Sequence, residues 1–152
     1  MKIRGGSPEE FLKLAGEWLA ADEPRQARIL LERAAFEHPA HHGVAARLAI
    51  AARRDPETRE LAPRLFREAE ALRPEGATPE PAFLVESAEA MLGQGQSQAA
   101  EERLRAAIRA YPEGAKKETA AALRRLAALW ESEGRNEEAA RALRQRAEAL
   151  DR

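Results

Sequence analysis

Residues 11–39 read FLKLAGEWLAADEPRQARILLERAAFEHP, and residues 84–112 read LVESAEAMLGQGQSQAAEERLRAAIRAYP. Laid over one another, Phe11, Leu14, Ala15, Trp18, Ala27, Leu31, Ala34 and Pro39 fall on Leu84, Ser87, Ala88, Met91, Ala100, Leu104, Ala107 and Pro112. The intervals are the same in both copies: 3, 1, 3, 9, 4, 3 and 5. Steps of three and four gather side chains onto one stripe of an α-helix. The step of nine spans a break, so each copy is a pair of helices. Ala15, Ala27, Ala34, Ala100 and Ala107 are small enough to let helix backbones approach, and the large residues fill the space between consecutive pairs. One pair cannot bury its stripe alone, so the pairs must stack.

Two weaker copies extend the pattern. Ala45, Leu48, Ala49 and Ala52 lead to Ala62, Phe66, Ala69 and Pro74, with the middle gap one residue longer. Leu123, Leu126, Ala127 and Trp130 lead to Ala139 and Leu143, after which Arg146 and Asp151 replace the small residue and the proline. Punctuation agrees with this division. Ser7-Pro8-Glu9-Glu10 has an N-cap residue, a proline at the first helical position and a glutamate three after the cap. Asp55-Pro56 and Thr78-Pro79 repeat the cap-then-proline device, and Ser97 and Asn136 are placed to cap two further helices. The predicted helices run over 8–21, 24–37, 42–53, 56–72, 79–93, 98–110, 115–133 and 137–151. The junctions are uneven: 6 residues from Pro39 to Ala45, 10 from Pro74 to Leu84 and 11 from Pro112 to Leu123. An irregularity is therefore expected near 74–80, with about one extra turn on the helix that follows Pro112. The last helix is highly charged, which suits a terminal cap with one face in water.

These anchors resemble the tetratricopeptide repeat (TPR), a helix-turn-helix unit of about 34 residues. The likeness covers 7–152 and is strongest in the first and third copies. It implies an all-α, right-handed solenoid of antiparallel helix pairs, about eight helices in one domain. The units fall at about 8–41, 42–77, 78–113 and 114–152, after a flexible N-terminus at 1–6. In proteins similar to this one the first helix of each unit lines a concave groove. Carried over, that implies a partner-binding set of Leu12, Leu19, Arg47, Ile50, Arg53, Val85, Glu86, Glu89, Arg124 and Arg125, with Glu9, Lys13, Gly16, Ala46, Leu92, Ala128 and Glu131 at neighbouring groove positions. Some members hold a chaperone's C-terminal carboxylate with Lys and Asn. Here Leu12 and Gly16 stand at those positions and the sole Asn is Asn136, so that activity is not carried over.

Composition agrees with helices. Hydrophobic residues make up 44%, charged residues 34% and aromatic residues 5%. The β-branched set is only Val44, Val85, Ile3, Ile29, Ile50, Ile108, Thr58, Thr78 and Thr119, too few for a sheet. A formal net charge of -1 provides no field of one sign for nucleic acid or an anionic membrane. Without Cys there is no disulfide, thiol nucleophile or thiolate metal site. The opening Met-Lys-Ile-Arg-Gly-Gly lacks a signal-peptide core, and no apolar run approaches the roughly 20 residues of a membrane span. The expectation is a cytoplasmic protein with no nucleic-acid or membrane partner.

No catalytic constellation is visible. His38, His41 and His42 fall within five residues, but no Asp, Glu or Cys supports them at ligand spacing, so neither metal nor cofactor is expected. Trp18 and Trp130 occupy the bulky anchor position, which predicts packing instead of ligand stacking. Gly93-Gln94-Gly95 follows a helix and lacks a Lys-Ser/Thr pair, so it reads as a turn and not as a phosphate loop. Glu86 and Glu89 share a helix face, with no nucleophile predicted beside them. The expected function is therefore a non-enzymatic scaffold or adaptor that binds a peptide or helix of another protein. The alternatives are a small chaperone, like the repeat proteins of bacterial type III secretion, and a homodimer formed through Leu12, Leu19 and Ile50.

Overall fold

The computed structural model describes residues 6–152. Among the described residues it is all helical. The elements are α1 (Pro8–Ala20), α2 (Pro24–Glu37), α3 (His42–Arg54), a single 3-10 turn (Arg59–Leu61), α4 (Ala62–Leu72), α5 (Pro81–Leu92), α6 (Ser97–Ala110), α7 (Lys116–Ser132) and α8 (Glu137–Leu150). The chain divides into two compact units, one ending at Thr78 and the other spanning Pro79–Arg152. Each holds four of the helices, or two of the sequence copies.

In the first unit α1 packs on α2 and on α3, α2 packs on α3, and α3 packs on α4. Hydrogen bonds at the helix ends give the directions. The Nε2–H of His38, just past α2, donates to the Gly6 carbonyl just before α1, at 2.9 Å. The Nδ1–H of His42, opening α3, donates to the Ala69 carbonyl late in α4, at 3.1 Å. Each pair is therefore antiparallel. The anchors form the core: Ala15, Ala27, Leu31 and Ala51 make one buried cluster, and Phe11, Ala34 and Val44 another. Of the N-terminal segment expected to be flexible, 1–5 lie outside the described residues, while Gly6 is buried.

In the second unit α5 packs on α6, α6 on α7 and α7 on α8. Ala88, Met91, Ala100, Leu104 and Leu126 form a buried cluster, and Ala120, Leu123 and Ala147 form another. Helix α7 has 17 residues against 12 in α5, which is the extra length expected after Pro112. Helix α8 buries only Ala140 and Ala147, as suits a helix with one wet face. Gly95 takes φ +72 in the turn between α5 and α6, a conformation that a side chain would strain.

Several helix starts differ from the sequence reading, and proline accounts for two of them. The fourth helix begins at Ala62, not at 56. Pro63 has no N–H for the carbonyl four residues back, so no continuous α ladder runs through it. The chain fills the gap with a turn and the 3-10 segment. The fifth helix begins at Pro81, not at 79, because Pro81 holds Glu80 extended at ψ 137. Ser7 does cap α1, its hydroxyl accepting from the Glu10 amide at 3.2 Å. The expected caps at Ser97 and Asn136 do not form: Ser97 is already the first residue of α6, and Asn136 is left-handed at φ 45 where a capping residue is extended. The cap of α3 comes instead from His41, whose Nδ1 accepts from the Val44 amide at 3.2 Å.

Candidate functional site

The groove set falls into two groups, one in each unit. In the first unit, Leu12 and Leu19 sit on α1, while Arg47, Ile50 and Arg53 sit on α3. Leu12 and Leu19 are half-buried against the cluster of Ala15, Ala27, Leu31 and Ala51. Ile50 is buried, at 4% exposure. A Cβ on Gly43 would come within 3.3 Å of Leu12 Cδ1 and 3.1 Å of His41 Cε1, so the side chain of Leu12 lies against the start of α3. Leu12 and Leu19 are thus already partly packed, and Ile50 is closed to solvent. Arg47 and Arg53 on α3 are half-buried. Lys13 and Gly16 are exposed on α1, and a Cβ at Gly16 would meet no atom within 4 Å.

In the second unit, Val85, Glu86 and Glu89 sit on α5, with Arg124 and Arg125 on α7. Arg125 forms an ion pair with Glu89, linking the two helices. Glu86 is buried. Tyr111, just past α6, joins this group, and sequence reasoning missed it because it lies outside the helix-face positions of the repeat. Burial pushes the Tyr111 phenol up, and the carboxylates of Glu118 and Glu86 add to that while Arg125 opposes it. Arg124 pairs with Asp151 at the end of α8 and so ties α7 to α8. Ala128, one turn beyond Arg124, is exposed.

Other polar groups hold structure. Arg28 on α2 donates through Nε to Asp55 Oδ2 at 2.9 Å, and the Glu57 amide donates to Asp55 Oδ1 at 3.0 Å. Asp55 is 3% exposed, and this bidentate use of its carboxylate ties the turn after α3 to α2. Hydrogen bonding from Arg28, then from the Glu57 amide, holds the Asp55 carboxyl below the usual aspartate range. The Trp130 indole N–H donates to Glu101 Oε1 at 2.7 Å, Arg135 reaches the same oxygen at 3.0 Å, and Arg105 stacks over the ring at 5.5 Å. Trp130 is thus packed, as its anchor position predicts. Trp18 is not fully packed: it is 42% exposed, while Met91 at the matching position is buried.

Each histidine of the 38–42 group spends a ring nitrogen on the backbone, at Gly6, Val44 or Ala69. Among the described residues no three His, Cys, Asp or Glu side chains are gathered as a metal-binding group. Among the same residues no helix is long and apolar enough to cross a membrane.

No protein-family model and no curated protein matches the sequence. Solved structures do match in fold. Residues 41 to the end of MamA from Desulfovibrio magneticus RS-1 align at a TM-score of 0.69 and 18% identity, over 97% of this chain and 78% of that one. The type III secretion translocator chaperone SycD of Yersinia enterocolitica aligns at 0.67 and 16%, over 88% and 90%. The pilF protein of Pseudomonas aeruginosa aligns at 0.72 and 17%, over 94% of this chain but 60% of its own length. At these identities the likeness is one of fold: TPR-like helical repeats, here eight helices among the described residues.

Proposed function

We propose that this chain is a protein-interaction scaffold whose odd-numbered helices carry the contact surface. Helices α1 and α3 present Leu12, Leu19, Arg47 and Arg53, with Ile50 buried beneath the surface of α3. Helices α5 and α7 present Val85, Glu89 and Arg125, with Glu86 buried on α5 and Arg124 at the edge. The observation that carries this reading is that partly exposed aliphatic side chains with charged neighbours remain on the odd-numbered helices of each unit, Leu12 and Leu19 in the first and Val85 and Leu92 in the second. Half-buried Leu12 and Leu19 lie beside exposed Lys13 and Gly16, and half-buried Val85 lies beside the pair formed by Glu89 and Arg125. Such a strip fits one apolar face of an amphipathic helix or extended peptide, with charges meeting it at the rim.

Gly16 and Ala128 provide the test, because both are exposed and neither is part of the core. Gly16→Arg and Ala128→Arg each place a long side chain on one strip without removing a contact. Wild type and both variants are used to capture proteins from native lysate, with melting followed in parallel. A partner held by wild type and lost by a fully folded variant supports the strip that was blocked. Equal capture by all three proteins would sink this assignment.

A second reading is a small chaperone that keeps a hydrophobic partner soluble. It is favoured by the alignment with SycD, which covers 88% of this chain and 90% of that one. Under it, the captured partner aggregates when expressed without this chain. A partner that folds stably alone favours the adaptor.

A further inference from the structure

The most exposed large hydrophobic residues in the first unit lie away from the strips described above. On α2, Phe36 is 88% exposed and Ile29 is 50% exposed. They are seven residues apart, with Glu32 and Arg33 exposed between them. Positions i, i+3, i+4 and i+7 share one helix face, so these four form a single stripe. It lies opposite the buried Ala27, Leu31 and Ala34.

The repeat itself is a control. The residues matching Ile29 and Phe36 are Arg64 and Ala71 on α4, Glu102 and Arg109 on α6, and, in the register set by the buried Ala140 and Ala147, Ala142 and Ala149 on α8. Three of the four second helices thus put a charged residue or alanine where α2 puts isoleucine and phenylalanine. The helix pair does not need these apolar groups in order to fold. An exposed phenylalanine is costly to hydrate and has no partner within the repeat pattern.

We propose that the outer face of α2 is a self-association surface on which a second copy of the chain packs, α2 against α2 in antiparallel order. The stripe is self-complementary in that order alone. Turned about a two-fold axis between residues 32 and 33, Ile29 meets Phe36 of the partner subunit and Phe36 meets its Ile29. Glu32 meets Arg33 of the partner subunit, and the reciprocal pair forms as well. In parallel order Glu32 would face Glu32 and Arg33 would face Arg33, an arrangement that like charges oppose. The existing pairs within the helix are extended and not broken: Glu32 takes Arg28 on Oε1, and Arg33 holds Glu37 through Nε at 3.2 Å. The dimer surface inferred from sequence was Leu12, Leu19 and Ile50. Ile50 is buried and Leu12 and Leu19 are only partly exposed, whereas Ile29 and Phe36 on α2 stand well clear of their unit. An interface of one helix per copy is small and gives a reversible dimer.

Sedimentation equilibrium of the full chain over a concentration series reads the association directly, with helicity and melting checked for every variant. Wild type is expected to shift from monomer to dimer as concentration rises. Phe36→Glu is expected to remain monomeric with unchanged melting, since the side chain is nearly free of contacts. Glu32→Arg or Arg33→Glu alone weakens the dimer by at least about tenfold, and Glu32→Arg combined with Arg33→Glu restores it by exchanging the charges. A wild type that stays monomeric throughout, or a dimer that survives Phe36→Glu, overturns the proposal. So does a double reversal that fails to recover, which would exclude the antiparallel order. A dimer lost in Gly16→Arg but intact in Phe36→Glu moves self-association to the α1 and α3 strip.

Discussion

Asp55 is a carboxylate enclosed where carboxylates are seldom found. Its cost of burial is offset by two directed partners, the Arg28 guanidinium and the Glu57 amide. Removing one partner leaves the buried carboxylate without its cation or the guanidinium without its buried acceptor, so Arg28→Ala or Asp55→Asn is expected to cost about 2 kcal/mol in denaturant unfolding. The pH dependence has a definite sign. The folded state holds the Asp55 pKa below its unfolded value, so the stabilisation is complete above the ordinary aspartate value of about 3.9 and is lost as pH falls toward the folded value. Melting of the wild type should drop more steeply below about pH 4 than that of Asp55→Asn. None of this was legible in the sequence, where Asp55-Pro56 reads as a helix start. The partner that decides its role, Arg28, lies in another helix, and only tertiary packing brings the two together. By contrast, the small anchors were legible one by one, because their spacing is set within a single helix. Ala34 and Ala107 have no exposure at all. Ala34→Leu or Ala107→Leu should overpack a helix contact and lower stability by about 1–3 kcal/mol, measured by chemical denaturation.

At the scale of the element, helix starts separate what local chemistry decides from what it does not. Ser7 was a readable cap because its hydroxyl needs only the amide three residues on. His41 is equally local, yet histidine is not a usual capping residue, and its role emerges from the Nδ1 contact with Val44. His41→Ala should cost about 1 kcal/mol, as loss of a cap does. Gly43→Ala gives a sharper test. In an open helix that change would be favourable, but here the new Cβ would press on His41 and Leu12. Gly43→Ala should therefore lower the melting temperature, while Gly16→Ala, which has open space, should raise it. The starts of α4 and α5 were misplaced for a different reason. Each region offers a choice of prolines, and the one farther along the chain sets the boundary, Pro63 in one case and Pro81 in the other.

At the scale of the molecule, the repeat anchors made the all-α architecture legible before any coordinate was known. The candidate contact faces were legible only in part. The sequence can assign a residue to a helix position, but it cannot say how much of that residue neighbouring helices consume. Ile50 is largely consumed in this way, and Arg124 is claimed by Asp151. What remains is two strips, one per unit. Blocking either should weaken capture of a partner that uses both, and Gly16→Arg combined with Ala128→Arg should abolish it; pull-down against the purified partner checks this.

The unequal settings of the two tryptophans have a practical consequence. The chain contains two in all, Trp18 in the first unit and Trp130 in the second. Trp18 is partly in water, whereas Trp130 is enclosed by a carboxylate and a guanidinium. Their fluorescence should therefore differ, with a red-shifted component from Trp18 and a distinct component from Trp130. Trp18→Phe and Trp130→Phe would each leave one emitter, and the protein would then report the unfolding of its two halves separately. Coincident transitions would mean that the halves melt as one cooperative body, and separated transitions would give each half a stability of its own.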